Sequence, residues 1–151
     1  VVDGKDSSEV WAGFRVARRA YPKILTVREE NGAVTVECSH DGYKRLPGRP
    51  VHTRRWEFTP GKLGIEDSIS DTKFGAQARL HLHPAWHCRL VDGYTAELQL
   101  TPEKRVRVAI RGGRMTMAES TWNPEFGTSL PNTCLVLDFH GQLYTEIGWE
   151  S

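Results

Sequence analysis

The chain has 151 residues, 38% of them hydrophobic and 26% charged, with a mean hydropathy of −0.49, enough for one domain with a real core. No apolar run approaches the roughly 18 residues that a membrane span needs. Twenty basic against 19 acidic side chains give a net charge of +1, so no global field gathers nucleic acid or an anionic bilayer.

The first residue is Val1 and no secretory leader opens the sequence, which reads as a matured product or an excised piece. In chain order, Trp11 to Ala20 is expected to be a strand; Gly13 weakens a helix there, although Val16 and Ala17 break the alternation. Lys23 to Arg28 and Ala33 to Cys38, joined through Asn31-Gly32, predict a hairpin with a type I′ turn. Ser39 to Pro50 is the longest stretch without an obvious strand. From Ala76 the alternation is clean: Ala76, Ala78, Leu80 and Leu82 share one face, and Gln77, Arg79, His81 and His83 the other. Leu90-Val91 and Tyr94 to Leu100 flank Asp92-Gly93 as a second hairpin. Val106, Val108 and Ile110 alternate with Arg105, Arg107 and Ala109, and Leu135 and Leu137 alternate with Val136 and Asp138. Arg111-Gly112-Gly113-Arg114 and His140-Gly141 read as turns. The pattern is all-β and antiparallel, a sandwich or barrel of about ten to twelve short strands in one domain, with no internal repeat.

Cys38, Cys88 and Cys134 are odd in number, and their spacing fits neither a zinc ribbon nor a redox pair; they read as small core residues. His81 and His83 point the same way on a strand, and His87 follows the Pro84 bend. That spacing is similar to a cupin metal core, but no Asp or Glu follows before Asp92. The competing reading is a polar strand face shared with Arg79. There is no GxSxG elbow and no phosphate-cradling glycine loop, so neither a catalytic constellation nor a metal site is assigned.

Basic clusters lie at Arg15-Arg18-Arg19, Lys44-Arg45-Arg49 and Arg54-Arg55, as solvated strand faces or as a surface for an anionic ligand. The loop "SHDGYKRLPGRP" carries the best candidates. Tyr43 would stack on a sugar, Lys44 and Arg45 would pair with carboxylate or sulfate, and His40 would donate a hydrogen bond. The alternative is structural, with Asp41-Gly42 as a tight turn and Tyr43 plugging the core.

The segments "VVDGKDSSEVWAGFRVARRA", "SHDGYKRLPGRPVHTRRW", "LGIEDSISD" and "ARLHLHP" together resemble the C-terminal β-sandwich region of heparinase II/III-like proteins, with a fainter echo in "NPEFGTSLPNTCLVLDF". The most distinctive piece is His40-Asp41-Gly42-Tyr43, followed by His52, Arg54, Trp56 and Asp67. The resemblance implies an antiparallel β-sandwich over residues 1–151, missing its first strands and a helical toroid that precedes it. It also implies a parent lyase that cleaves uronic-acid polysaccharide by β-elimination in the periplasm or outside the cell. The family's catalytic Tyr and His, and the histidines that hold a structural zinc in some members, would lie upstream. None is carried over, no cofactor is assigned, and the isolated chain is expected to be inactive. Its expected partners are an acidic polysaccharide, bound at His40, Tyr43, Lys44 and Arg45, and the parent's toroid. The alternatives are a free-standing carbohydrate-binding module, which would present a planar row of tryptophans, and a cupin-like metal protein.

Overall fold

The computed structural model describes residues 1–13 and 15–149, apart from the side chain of Ile24. The strands are β1 (Glu9–Ala12), β2 (Arg15–Arg18), β3 (Pro22–Glu30), β4 (Ala33–His40), β5 (His52–Thr59) and β6 (Lys62–Ile69), then β7 (Gly75–His81), β8 (His87–Leu90), β9 (Thr95–Gln99), β10 (Arg105–Trp122) and β11 (Leu130–Trp149). No helix occurs among the described residues. β1 and β2 form a separate ribbon; the others join one antiparallel sheet in the order β3-β4-β5-β6-β11-β10-β9-β8, with β7 also on β11.

The two longest strands build both layers. Residues 105–111 of β10 and 142–148 of β11 pair with each other, with β9 and with β6. Residues 113–122 and 130–140 form the second layer with β7. Val108, Ile110 and Leu143 from the first half share one core with Met115, Leu135, Leu137 and Phe139 from the second. The long hairpin is therefore folded over itself, and the fold is a β-sandwich.

A β-bulge makes the fold-over possible. The register slips between Arg111 and Gly113, so β10 turns even-numbered residues inward before the bulge and Met115 inward after it. β11 keeps its phase throughout, with Leu135, Leu137, Phe139, Leu143 and Thr145 all buried. Between the flanking pairs Arg111–Tyr144 and Gly113–Phe139 there is one residue on β10 and four on β11, and this mismatch bends the hairpin. Only glycine fits at the crease, because a Cβ at Gly113 would stand 2.4 Å from the Asp138 carbonyl oxygen and one at Gly112 2.6 Å from that of Gln142.

This corrects the sequence reading at three points. Arg111 to Arg114 and His140-Gly141 lie inside continuous strands, since the glycines serve close backbone approach rather than chain reversal. Trp11 to Ala20 holds two short strands, not one: the ribbon has no buried apolar face to carry a longer element, and Val10 and Trp11 are exposed. The first hairpin is as expected, with Asn31 at φ 52° and Gly32 at φ 76° in the turn.

The crease yields a test. Gly113→Val is expected to destabilise the fold by about 2 kcal/mol or more, through a backbone clash that no rotamer relieves. Gly13→Ala, at a site open to solvent, should change stability by less than about 0.5 kcal/mol in the same urea titration.

Candidate functional site

The loop between β4 and β5 begins as a tight turn, the Lys44 N–H donating to the Asp41 carbonyl at 3.0 Å and the Leu46 N–H to Tyr43 at 2.9 Å. Gly42 is buried beneath it. A Cβ there would sit 2.4 Å from the Ser7 carbonyl oxygen and 2.7 Å from Ala20 Cβ, so the loop lies directly on the two ends of the β1–β2 ribbon. Arg45 fastens the contact. Its guanidinium donates to the Ser7 carbonyl at 2.9 Å and also to the carbonyls of Gly42 and Asp6.

Beneath the loop runs a chain of polar groups across three adjacent strands. The Gly42 N–H donates to His40 Nδ1 at 3.2 Å, His40 Nε2 meets His52 Nδ1 at 3.0 Å, and His52 Nε2 meets Asp67 Oδ1 at 2.6 Å. Arg54 closes the chain with two hydrogen bonds to the same carboxylate, at 2.7 and 2.9 Å. A backbone N–H can only donate, so His40 Nδ1 must accept and the His40 proton sits on Nε2. His52 Nδ1 then accepts in turn, and the His52 proton points at Asp67. One fixed donor thus sets both tautomers, and both rings are neutral.

Asp67 is 1% exposed. Burial raises its pKa, but hydrogen bonds from His52 and Arg54 outweigh it and hold the carboxyl below its ordinary range. His40 is shifted downward by burial first and by His52 second; Asp41 opposes the shift, while the Val1 amine and Arg54 add to it. A cavity of about 40 Å³ adjoins the network, lined by Val2, Tyr43, His52, Arg54, Asp67 and Gln77 among others. It has room for about one or two waters and none for a sugar ring. The network is internal.

The expected ligand contacts divide accordingly. Tyr43 is 4% exposed and packs into the core, so its ring presents no face for stacking. Both ring nitrogens of His40 are engaged, and Arg45 is held by three carbonyls. Lys44 alone of the four is exposed and without a side-chain partner among the described residues. Arg49, also exposed, stands further along the loop. The outer face of β3–β5 bears a shallow depression of about 600 Å³. There Glu30, Glu37 and Glu57 outnumber Arg28 and Arg55, the wrong balance for a polyanion.

His81, His83 and His87 are all exposed. His81 Nδ1 lies 3.1 Å from the Ser120 hydroxyl, and His83 packs edge-on against Trp122 at 4.6 Å. Among the described residues no three His, Cys, Asp or Glu side chains converge on a point where a metal ion would sit. His40, His52 and Asp67 lie in line and face one another, so this donor set does not fit zinc.

A family model, heparinase II/III-like C-terminal, matches residues 1–150. The chain belongs to that family. Solved structures agree on the fold. Heparan sulfate lyase HepC from Pedobacter heparinus is similar with a TM-score of 0.74 at 8% identity, over 89% of this chain and 22% of that one. A heparinase III gene product is similar with a TM-score of 0.71 at 12% identity, over 88% of this chain and 22% of its own. The chain thus spans about a fifth of the length of the lyases it resembles. Comparison with curated proteins gives no match.

Within this family member, sequence reasoning overlooked what His52, Arg54 and Asp67 do together. The signal was present: His52 and Arg54 are two apart on one strand, hence on one face, and an acid falls on the next strand. The register that places Asp67 opposite Arg54 is not visible in a one-dimensional pattern.

The network carries two predictions. Its folded state resists protonation of His40 while the unfolded chain accepts a proton near the ordinary histidine value of about 6.5. Stability should therefore be complete above that pH and fall as the pH drops through it, with a slope of at most about 1.4 kcal/mol per pH unit. Asp67 adds a further loss below the ordinary carboxylate range. His40→Gln should flatten the first phase in urea titrations from pH 7 to pH 5. Asp67→Ala strands the Arg54 guanidinium and should cost about 3–5 kcal/mol, whereas Lys44→Ala should cost less than about 0.5 kcal/mol.

Proposed function

We propose that the chain is the β-sandwich portion of a polysaccharide lyase acting on uronic-acid-containing polymer, of glycosaminoglycan or alginate type, by β-elimination. The observation that carries this reading is the family match over residues 1–150, supported by a fold shared with a heparan sulfate lyase. In such a reaction the substrate carboxylate is neutralised, a base removes the α proton, and an acid protonates the departing glycosidic oxygen. This chain supplies neither proton-transfer group. The imidazole nitrogens of His40 and His52 are saturated and the Tyr43 ring is buried, so the acid and base belong to the parent's helical toroid and to residues upstream. Any zinc of the parent is likewise held by upstream residues.

The chain's own contribution is shape and local positive charge along one wall of the substrate cleft. Lys44 meets anionic groups of the polymer. His40, Tyr43 and Arg45 hold the loop that presents it, and Arg49 adds a second cation. The parent works in the periplasm or outside the cell, where such polymers are met. A free-standing carbohydrate module is less well supported. Trp11 is 74% exposed, but Trp56, Trp86, Trp122 and Trp149 are half-buried on separate segments and form no planar row.

The isolated chain, offered heparan sulfate, alginate or hyaluronan, should release no unsaturated product by ultraviolet absorbance. In affinity electrophoresis it should be retarded weakly by the acidic polymer it serves, and Lys44→Ala should reduce that retardation about fivefold at low salt. Robust turnover by the isolated chain would refute the division of labour proposed here.

A further inference from the structure

Leu25, Val27 and Phe58 stay exposed in the apolar rows of β3–β5, where no feature of the structure identifies an occupant. The β1–β2 ribbon differs, because its exposed apolar side chains are interleaved with cations. Trp11 is 74% exposed, Val10 59% and Val16 42%. Along the same element run Arg15, Arg18 and Arg19, against one acid, Glu9. Glu9 pairs with Arg18 at 3.5 Å. Arg15 and Arg19 are left exposed and in no ion pair among the described residues.

The local register frees Trp11. Glu9 lies opposite Arg18, Val10 opposite Val16 and Ala12 opposite Arg15. Ala17 is therefore the extra residue of one bulge, and Trp11 of a second on the other strand. The two cancel, so the ribbon ends in the register in which it began. An extra residue has no cross-strand partner and its side chain is re-aimed. Here it is the largest side chain the ribbon has.

The foot of the ribbon is fixed. The Ala20 N–H donates to Ser8 Oγ at 3.0 Å, Arg45 holds the carbonyls of Asp6 and Ser7, and Gly42 packs on Ser7 and Ala20. Tyr21, 58% exposed, follows directly. Its N–H donates to Asp41 Oδ1 at 3.0 Å and its carbonyl accepts from the Asp41 N–H at 3.2 Å. Lys44 stands two residues beyond the Gly42 contact, and so adjoins the foot beside Arg19. Arg15 is four residues from Arg19, about 13 Å along a strand. The free cations Lys44, Arg19 and Arg15 thus form a strip with an exposed aromatic at each end, Tyr21 at the foot and Trp11 near the tip. Asp41 is paired with Lys23 at 3.1 Å, which leaves Asp6 as the one opposing charge at the foot among the described residues.

We propose that the β1–β2 ribbon is a binding arm for acidic polysaccharide, in which Trp11 stacks on one sugar ring while Arg15 and Arg19 pair with carboxylate or sulfate groups further along the polymer, in line with Lys44. The chemistry of the two partners is complementary. A sugar ring offers an apolar C–H face to an indole, and its acids fit the guanidinium fork. An apolar protein surface would match Trp11 and the two valines but would bury two guanidinium groups without partners. The inference rests on reading the chain as part of a lyase for such polymers, and it adds the element that grips the substrate.

The test uses the full-length polypeptide with fragments of heparan sulfate, alginate and hyaluronan, reading affinity by calorimetry and turnover by ultraviolet absorbance. On the polymer that binds, Trp11→Ala should weaken affinity about tenfold at any salt concentration, and Trp11→Phe should recover most of the loss. The double variant Arg15→Gln/Arg19→Gln should lose about tenfold at low salt and less than about twofold at high salt, where the ion pairs are screened. Arg28→Gln, on the outer face of the large sheet, should change affinity by less than about twofold. Urea midpoints matching the unaltered protein show that each variant is folded. Maleimide labelling of the thiol introduced by W11C should be fast in the free protein and slowed by polymer. Unchanged affinity in both the tryptophan and the arginine variants would overturn the proposal, as would failure to bind any of the three polymers. Shielding of W11C before polymer is added assigns the arm to the parent's own chain or to a second copy, and also overturns it. Turnover separates the two readings: variants that turn over substrate with an unaltered KM remove this inference alone, and ribbon-dependent binding without turnover removes the lyase reading alone.

Discussion

A carboxylate buried as deeply as Asp67 has to be neutralised where it stands, and most of the local architecture around the candidate site follows from that requirement. Arg54 meets it with a two-pronged contact, but a carboxylate has further lone pairs, and His52 takes one. His52 in turn needs a donor for its other nitrogen, which His40 provides, and His40 needs one that the Gly42 backbone provides. The demand of one charge is thus passed from β6 through β5 and β4 into the loop. Arg45 carries the connection on to Asp6 and Ser7, and so to the foot of the ribbon. Each link is worth little by itself. Breaking the charged end leaves an unpaired ion in the interior, which is why the assembly behaves as a unit.

The second constraint is the crease in the β10–β11 hairpin. One continuous pair of strands supplies the centre of both layers, and the segments before and after β7 cross between them as well. The two halves of the hairpin are joined where backbone touches backbone at Gly113 and Asp138. The crease also sets how far the second layer extends, since only β7 and the Val1–Asp3 segment widen it. The large sheet is wider than its cover, and the exposed apolar rows of β3–β5 are the direct consequence.

The sequence disclosed the class of fold because alternation and turn chemistry are local. Asn31-Gly32 can only be a tight reversal between two alternating runs, and Val106, Val108 and Ile110 can only be one face of a strand. It did not disclose the crease. A glycine pair that permits close backbone approach and one that permits chain reversal look alike until the partner strand is known. The site was legible as a cluster and illegible as a mechanism. His40, Tyr43 and Arg45 have side chains suited to binding a sugar acid, and nothing in their spacing says that His52 and the Gly42 N–H engage His40, that the core takes Tyr43, and that three backbone carbonyls hold Arg45. Lys44 differs from them only in having been left outside.

The central claim is that the imidazoles of this loop are saturated from within and cannot transfer a proton to substrate. Nitrogen NMR of the histidine side chains tests it directly. At neutral pH His40 and His52 should both appear as neutral rings protonated on Nε2, unchanged when acidic polysaccharide is added. A protonated ring, an Nδ1–H tautomer at either residue, or a tautomer change on adding polymer would contradict the account.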